Sequence, residues 1–350
     1  MMMEKWIKST LRDVSLYYSP TVRAFRMDNN ANLFGPNPVV KEVLQELTNT
    51  DLNNYPTTYS DDLRRALARF YGLEMNNFVA GNGSDEILDV CIKAFIESGE
   101  KVVMPHPTYA LHPFFVKVNG GTVVSVDLDE QFQLDPEAIN ATEGKIVLLS
   151  TPNNPTGNSF KMKDVRKIIE GVDRPVIVDE AYAEFSNQSF VPLVNEYDNL
   201  IVTRTFSKAY GLAGLRIGYA IANPYLANIL LRAKTPLSLN IISEKMAIAA
   251  LNRQDFVMKT VEAVKREREF VSKGLMAIGF KVFPSDTNFV LAKSPISSET
   301  LVSRLAQKGI LIRDFGKVRK LENCVRVTVG TREMNERLLQ LMKEVLEECQ

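Results

Sequence analysis

The sequence predicts an α/β protein: a large domain with a mostly parallel seven-stranded sheet between helices, followed by a smaller α/β domain. Three observations predict it. Seven short runs rich in Val and Ile recur between residues 78 and 222, separated by stretches with helical periodicity. Near-continuous apolar strands of this kind are buried on both faces by covering helices. The pattern changes near Thr235-Pro236, beyond which helix dominates before a few strands return. Residues able to do chemistry follow directly after several of the strands, at the edge of an open parallel sheet where ligands sit.

Taken in order, residues 1–31 show little periodicity and read as an N-terminal arm that packs on the small domain. After "ANLFGPNP" comes a helical pattern, "VVKEVLQELT", a polar loop, "DLNNYPTTYSDD", and a second helix, "LRRALARFYG". The strands are "FVA" at 78, "KVVM" at 101, "TVVSVDL" at 122, "KIVLLS" at 145, "PVIVDEA" at 175, "LIVTRTF" at 200 and "RIGYAIA" at 216. Between and after them, "SDEILDVCIKAFIE", "MKDVRKIIEGV" and "PYLANILLRAK" carry apolar residues at helical spacing. These elements place the large domain at 32–236. From Ser243 to about Ile278 the chain is helical, with a break around Arg253. The small domain, 237–350, continues with "FKVFPSDTNFVLAK", a helix "SETLVSRLAQKG", strands "ILIRDF" and "CVRVTVG", and a last helix from Glu333.

Composition narrows the chemistry. With 350 residues, 45% hydrophobic, and 42 basic against 42 acidic side chains, the chain has no electrostatic footprint for nucleic acid or an anionic membrane. No apolar run approaches the length of about eighteen residues that spans a bilayer. The start, "MMMEKWIKSTLRD", lacks a signal-peptide core, and Cys91, Cys324 and Cys349 form no CxxC pair, so a reducing cytoplasm is expected. Only His106 and His112 are present, which argues against a histidine-built metal site; none is expected. Lysine, carboxylates, tyrosines or a cofactor must then carry the chemistry.

Five segments stand at strand ends. "AGNGSDEIL" (80–88) is strand, glycine turn and helix, so the amides of Ser84 and Asp85 leave a helix N-terminus suited to a phosphate. "PTYALHP" puts Tyr109 where its ring can stack on a planar ligand. "STPNNPTG" (150–157) holds asparagine amides in a rigid turn. "PVIVDEAYAEF" ends an apolar strand with Asp179, a carboxylate that is costly there without a cation, and Tyr182 follows. "TRTFSKAYGLAGLRIGY" (203–219) supplies Ser207, Lys208 and Arg216. A desolvated lysine loses its charge readily and can form an imine with an aldehyde. Each segment alone has a plainer explanation: a capped helix, a core tyrosine with a wet hydroxyl, a turn, a capping Asp, a snorkelling lysine. His106 and His112 are read as structural. Together the five offer partners for a phosphate, a ring face, a ring cation, a ring oxygen and an aldehyde, the set that pyridoxal 5′-phosphate requires.

With these residues in view, the sequence resembles fold-type I PLP-dependent transferases, and among them the histidinol-phosphate aminotransferase family. The resemblance runs from "NNANLFGPNP" through "YPTTYSDDLRRALARFYG", "GNGSDEIL", "TPNNPTG", "DEAYAEF" and "TFSKAYGLAGLRIGY" to "ILIRDF" and "VRVTVGTRE". It implies that Lys208 holds the cofactor and shuttles a proton, and that Asp179 pairs with the pyridine nitrogen. It implies that Asn154 and Tyr182 bind the ring oxygen, and that Tyr109 stacks on the ring. Ser84, Asp85, Ser207 and Arg216 would bind the phosphate. Tyr55 would reach the phosphate in a partner subunit, making the functional unit a homodimer. Arg313, Arg326, Asn32 and Tyr18 would bind substrate, with both arginines reading the phosphate of histidinol phosphate, and glutamate and 2-oxoglutarate as the exchanging pair.

The chain departs from the family pattern at "NANL" (30–33), where "NENP" is frequent, and at "PLSLN" (236–240), where "PFNVN" is frequent. Both segments border the substrate side. An aromatic amino-acid aminotransferase or a threonine-phosphate decarboxylase of the same fold are the alternatives within this chemistry. Outside it stand a PLP-binding regulatory module and a nucleotide-binding protein using "GNGSD" as its phosphate loop; the latter leaves Lys208 and Asp179 unexplained.

Overall fold

The computed structural model describes residues 6–12, 14, 16, 24–47 and 52–349, so Tyr18 lies outside the described residues. Among the described residues, a 3-10 turn (Ser9–Leu11) precedes strand β1 (Phe25–Arg26) and helices α1 (Val39–Glu46) and α2 (Asp61–Tyr71). Then β2 (Phe78–Gly81), α3 (Gly83–Phe95), β3 (Lys101–His106), α4 (Leu111–Val118), β4 (Thr122–Asp127), α5 (Pro136–Ala141) and β5 (Ile146–Ser150) alternate. They are followed by α6 (Met162–Gly171), β6 (Val176–Asp179), β7 (Leu200–Thr205), β8 (Gly218–Ala222) and α7 (Pro224–Ala233).

β2 to β8 form a seven-stranded sheet in the order β2-β8-β7-β6-β5-β3-β4. β4, β3, β5, β6 and β7 run parallel; β8 runs antiparallel to both β7 and β2. All seven strands coincide with the apolar runs of the sequence. Successive strand residues face opposite sides of a sheet, and here both sides are filled. Val102, Met104, Ile146, Leu148 and Ile177 join α3 and α7 in one core, while Val103, Val147, Leu149, Val176 and Val178 join α1, α2 and α6 in the other. That two-sided burial is why these strands read as unbroken apolar runs.

The chain continues with α8 (Ile241–Leu251), α9 (Gln254–Ala277), β9 (Lys281–Val282), β10 (Phe289–Lys293), α10 (Ser298–Gln307), β11 (Ile310–Leu311), β12 (Arg313–Asp314), β13 (Cys324–Thr328) and α11 (Arg332–Glu348). A four-stranded antiparallel sheet, β12-β13-β10-β9, packs one face on α9, α10 and α11 through Val290, Val325, Val327, Leu301 and Leu338. Its other face, through Phe289 and Leu291, joins the core of the large sheet. Several helices start on a side-chain cap: Asn223, Asn240, Ser297 and Thr331 each accept the N–H of the third residue of α7, α8, α10 and α11, each bond worth about 1 kcal/mol. The single strand expected over "ILIRDF" is two. β11 pairs parallel with β1, β12 pairs antiparallel with β13, and Ile312 makes the change of partner. The segment 24–31 is thereby tied to the second sheet, with Met27 N–H donating to Leu311 O and accepting Thr328 N–H at its own carbonyl. No helix among the described residues is long and apolar enough to cross a membrane.

Candidate active site

The carboxyl ends of β5, β6 and β7, the start of α3 and the inner face of β12 and β13 enclose a cavity of about 260 Å³. It is lined by Ser84, Asp85, Tyr109, Asn154, Asp179, Tyr182, Ser207, Lys208, Arg216, Arg313 and Arg326, with Asp28–Ala31 from the arm and Phe315. Eleven residues singled out from separate segments of the sequence thus face one space.

Lys208 sits three residues beyond β7, where the chain turns back toward β8. Its Nζ lies 3.4 Å from Asn29 O and 5.6 Å from the centre of the Tyr182 ring. Burial lowers its pKa to about 8, and the Arg326 and Arg216 charges push the same way against Asp85 and Asp179. The amine is therefore substantially neutral near pH 8, as an aldehyde-capturing nucleophile must be.

Arg216 reaches the start of α3 from a left-handed backbone (φ 50°). Its Nη2 donates to Asp85 at 2.8 Å and its Nη1 to Ser207 Oγ at 3.4 Å. Two glycines make this approach possible. A Cβ on Gly83 would lie 2.7 Å from Arg216 Nη2, and one on Gly218 would lie 2.2 Å from Ser84 N. Asn82, the N-cap of α3, makes no side-chain cap bond. Glycines that bring β8 onto the helix start, a guanidinium beside it and the Ser207 hydroxyl form an anion cradle.

Asp179 is 3% exposed at the last position of β6. Its Oδ1 accepts from Thr203 Oγ1 at 3.1 Å and from Ala181 N–H at 3.2 Å, and its Oδ2 faces His112 Nε2 at 3.4 Å. Tyr109 stands edge-on to His112, 5.3 Å between ring centres, with its hydroxyl 3.5 Å from Asp85 Oδ1. Tyr182 is buried, its hydroxyl accepts from Asn30 Nδ2 at 2.9 Å, and burial raises its phenol pKa.

On the facing side, Arg313 and Arg326 are directly opposed partners across β12 and β13, which puts their side chains on one face. Arg326 lies between the rings of Phe289 and Phe315, 5.1 and 5.4 Å from their centres. It donates to Asn154 Oδ1 at 2.5 Å and Asp28 O at 2.6 Å. That bond leaves the amide N–H groups of Asn154 as its donors for a ligand oxygen.

Asn32 and Tyr55, the latter expected to serve a partner subunit, do not line this cavity. Asn32 is a brace: its Nδ2 donates to Ala209 O at 3.2 Å and its Oδ1 accepts Phe34 N–H at 2.9 Å, holding the turn after Lys208. Tyr55 is 85% exposed and stands in a separate surface groove with Arg65, Arg69 and Ile248. Sequence reasoning missed Asp28, Asn30, Thr203 and Phe315. Asp28 and Asn30 sit in the arm and reach the site only through pairing with the distant β11 and β13, for which no local signal exists.

The family model for aminotransferase class I and II matches residues 23–341. The chain belongs to that family. This aminotransferase is 40% identical over 327 residues to a histidinol-phosphate aminotransferase of Pyrococcus furiosus, covering 92% of this chain and 93% of that one. It is 39% identical over 328 residues to one from Thermoanaerobacter pseudethanolicus, covering 92% and 93%. A crystal structure of histidinol-phosphate aminotransferase from Sinorhizobium meliloti in complex with pyridoxal 5′-phosphate superposes with a TM-score of 0.91 at 26% identity, covering 98% of each chain. Pyridoxal 5′-phosphate is the cofactor the family implies, and the residues present fit it. The anion cradle, the buried Asp179 and the low-pKa amine of Lys208 open on the same cavity.

Proposed function

We propose that this aminotransferase uses pyridoxal 5′-phosphate to interconvert histidinol phosphate and 2-oxoglutarate with imidazole-acetol phosphate and glutamate. The observation that carries the substrate is the pair Arg313 and Arg326, opposed across two strands on the wall of the cavity that holds Lys208. Two guanidiniums on one face suit a phosphate dianion through charge-assisted hydrogen bonds. The 40% identity to a histidinol-phosphate aminotransferase over nearly the whole chain supports the same substrate.

When bound, pyridoxal phosphate supplies an electron sink for the bond at the substrate's amino carbon. The chain's own residues do the rest. Lys208 would bind the cofactor through its aldehyde, and as a free neutral amine its Nζ would take and return the proton at the substrate's amino carbon. Asp179 would pair with the ring nitrogen, Asn154 and Tyr182 would donate to the ring oxygen, and Tyr109 would cover the ring face. Ser84, Asp85, Ser207 and Arg216 hold the phosphate.

The working unit in this proposal is a cytoplasmic homodimer in which Tyr55 meets the cofactor phosphate of the second copy. Its high exposure, beside a groove edged by Val43, Ile241 and Ile248, supports that placement. The arm (1–31), large domain (32–236) and small domain (237–350) are the proposed units of closure.

Half-reactions test the substrate. Histidinol phosphate is expected to convert the absorbance of the protein-bound cofactor to that of its amine form faster than phenylalanine, tyrosine or threonine phosphate. A protein that answers to an aromatic amino acid and not to histidinol phosphate would overturn the assignment, and carbon dioxide release from threonine phosphate would replace it with a decarboxylase.

A further inference from the structure

We propose that Thr203 is a positioning residue that selects which oxygen of Asp179 meets the cofactor's ring nitrogen. The inference rests on the reading that Asp179 faces that nitrogen.

Thr203 follows the apolar first half of strand β7 and is completely buried, hydroxyl included. An unpaired hydroxyl in such a place is costly, and this one donates to Asp179 Oδ1 at 3.1 Å. Asp179 and Thr203 are register partners on neighbouring parallel strands, so their side chains leave the same face of the sheet. The backbone around them is locked as well, with Thr203 O accepting Glu180 N–H at 2.9 Å.

A carboxylate oxygen has two lone pairs. On Oδ1 one goes to the Thr203 hydroxyl and the other to the Ala181 N–H at 3.2 Å. Oδ1 is therefore filled. Oδ2 faces His112 Nε2, at 3.4 Å and without hydrogen-bonding geometry. Oδ2 therefore keeps acceptor capacity for the ring N–H, at a residue that lines the cavity. With the Ala181 N–H alone, the carboxylate would still be free to turn about its terminal bond; the second anchor stops that rotation. A preset acceptor loses less freedom when it takes the ring N–H, which is the physical content of preorganisation.

The test is a binding ratio on the apo protein. Pyridoxal phosphate and its 1-deaza analogue, which carries C–H in place of the ring nitrogen, are titrated into wild type, Thr203→Val and Thr203→Ser. Absorbance of the bound ligand gives each affinity. Wild type is expected to prefer pyridoxal phosphate. Thr203→Val is expected to lose about tenfold of that preference, the scale of one hydrogen bond to a charged group, and Thr203→Ser to keep most of it. General loosening of the fold weakens both ligands alike and cancels in the ratio. Equal weakening of both ligands, or an unchanged ratio in Thr203→Val, overturns the proposal. A wild type without preference overturns the pairing of Asp179 with the nitrogen and this inference with it. Should Thr203→Val not fold, Thr203→Ala reads the same ratio.

Discussion

Arg216 Nη2 and Asp85 Oδ2 lie 2.8 Å apart, across the first turn of α3. Both side chains are about one-third or more exposed, and ion pairs in that setting contribute little to stability. The pair matters for placement, because Arg216 reaches it over the bare face of Gly83.

Replacing that glycine separates site from fold. In Gly83→Ala the new Cβ meets the far end of the Arg216 side chain and takes up φ +89°. The conformational penalty is about 1–3 kcal/mol, but Arg216 must swing away. Spectral titration is expected to show at least about tenfold weaker pyridoxal phosphate binding. In Gly218→Ala the Cβ meets backbone at 2.2 Å, which cannot step aside. That variant is expected to unfold in urea with more than about 3 kcal/mol lost.

Lys208 makes the protein's behaviour depend on pH. Its folded pKa of about 8 lies below the unfolded value of 10.5. Between those values the unfolded chain binds the extra proton, so apo stability is expected to rise with pH over this window. Below pH 8 the ammonium is charged in both states and its burial opposes folding in full. Urea melts of the apo protein should show this slope, and Lys208→Met should flatten it. The rate of cofactor capture by the wild type should climb with a midpoint near pH 8.

Glu180 and Arg204 form a buried pair beneath the site, 2.7 Å apart, and Glu184 and Ser189 also bond the same guanidinium. This knot ties down the loop that carries Tyr182. Removing one partner leaves a charge stranded, which costs about 3–5 kcal/mol. Arg204→Met is expected to lose that amount by denaturant titration, and Glu180→Gln in the same chain should recover part of it.

The two cavity arginines are expected to differ. Arg313→Ala should raise the KM for histidinol phosphate by about 10–100-fold, the scale of a charge-assisted bond, with a smaller effect on glutamate. Arg326→Ala should impair both half-reactions and lower the melting temperature, because Arg326 also fills the space between Phe289 and Phe315. Steady-state kinetics with each substrate, alongside thermal melts, separate the two.

The large sheet was legible because two-sided burial writes itself as apolar runs, and the strand-end residues could be read from chemistry alone. Helices α4 and α5 were not. "LHPFFVKV" is apolar nearly all round with a proline inside, and "PEAINA" is less than two turns long, so neither shows a stripe. Strand order was equally silent, since pairing joins residues far apart in sequence. For that reason Asp28, Asn30 and the split of "ILIRDF" emerged only in three dimensions. The same holds for Asn154, whose side-chain carbonyl accepts from the distant Arg326, and for Asn32, which supports the Lys208 turn instead of lining the cavity.

The reversal of β8 limits what engineering can do to this enzyme. Because the chain doubles back at the carboxyl end of β7, without crossing over through a helix, Lys208 and Arg216 ride on one short span whose ends are hydrogen-bonded together by Phe206 N–H and Ile217 O. The separation of the two grips is thus a matter of loop length alone. One inserted residue there would spoil both, whereas the long connections on the helical faces can lengthen without moving either.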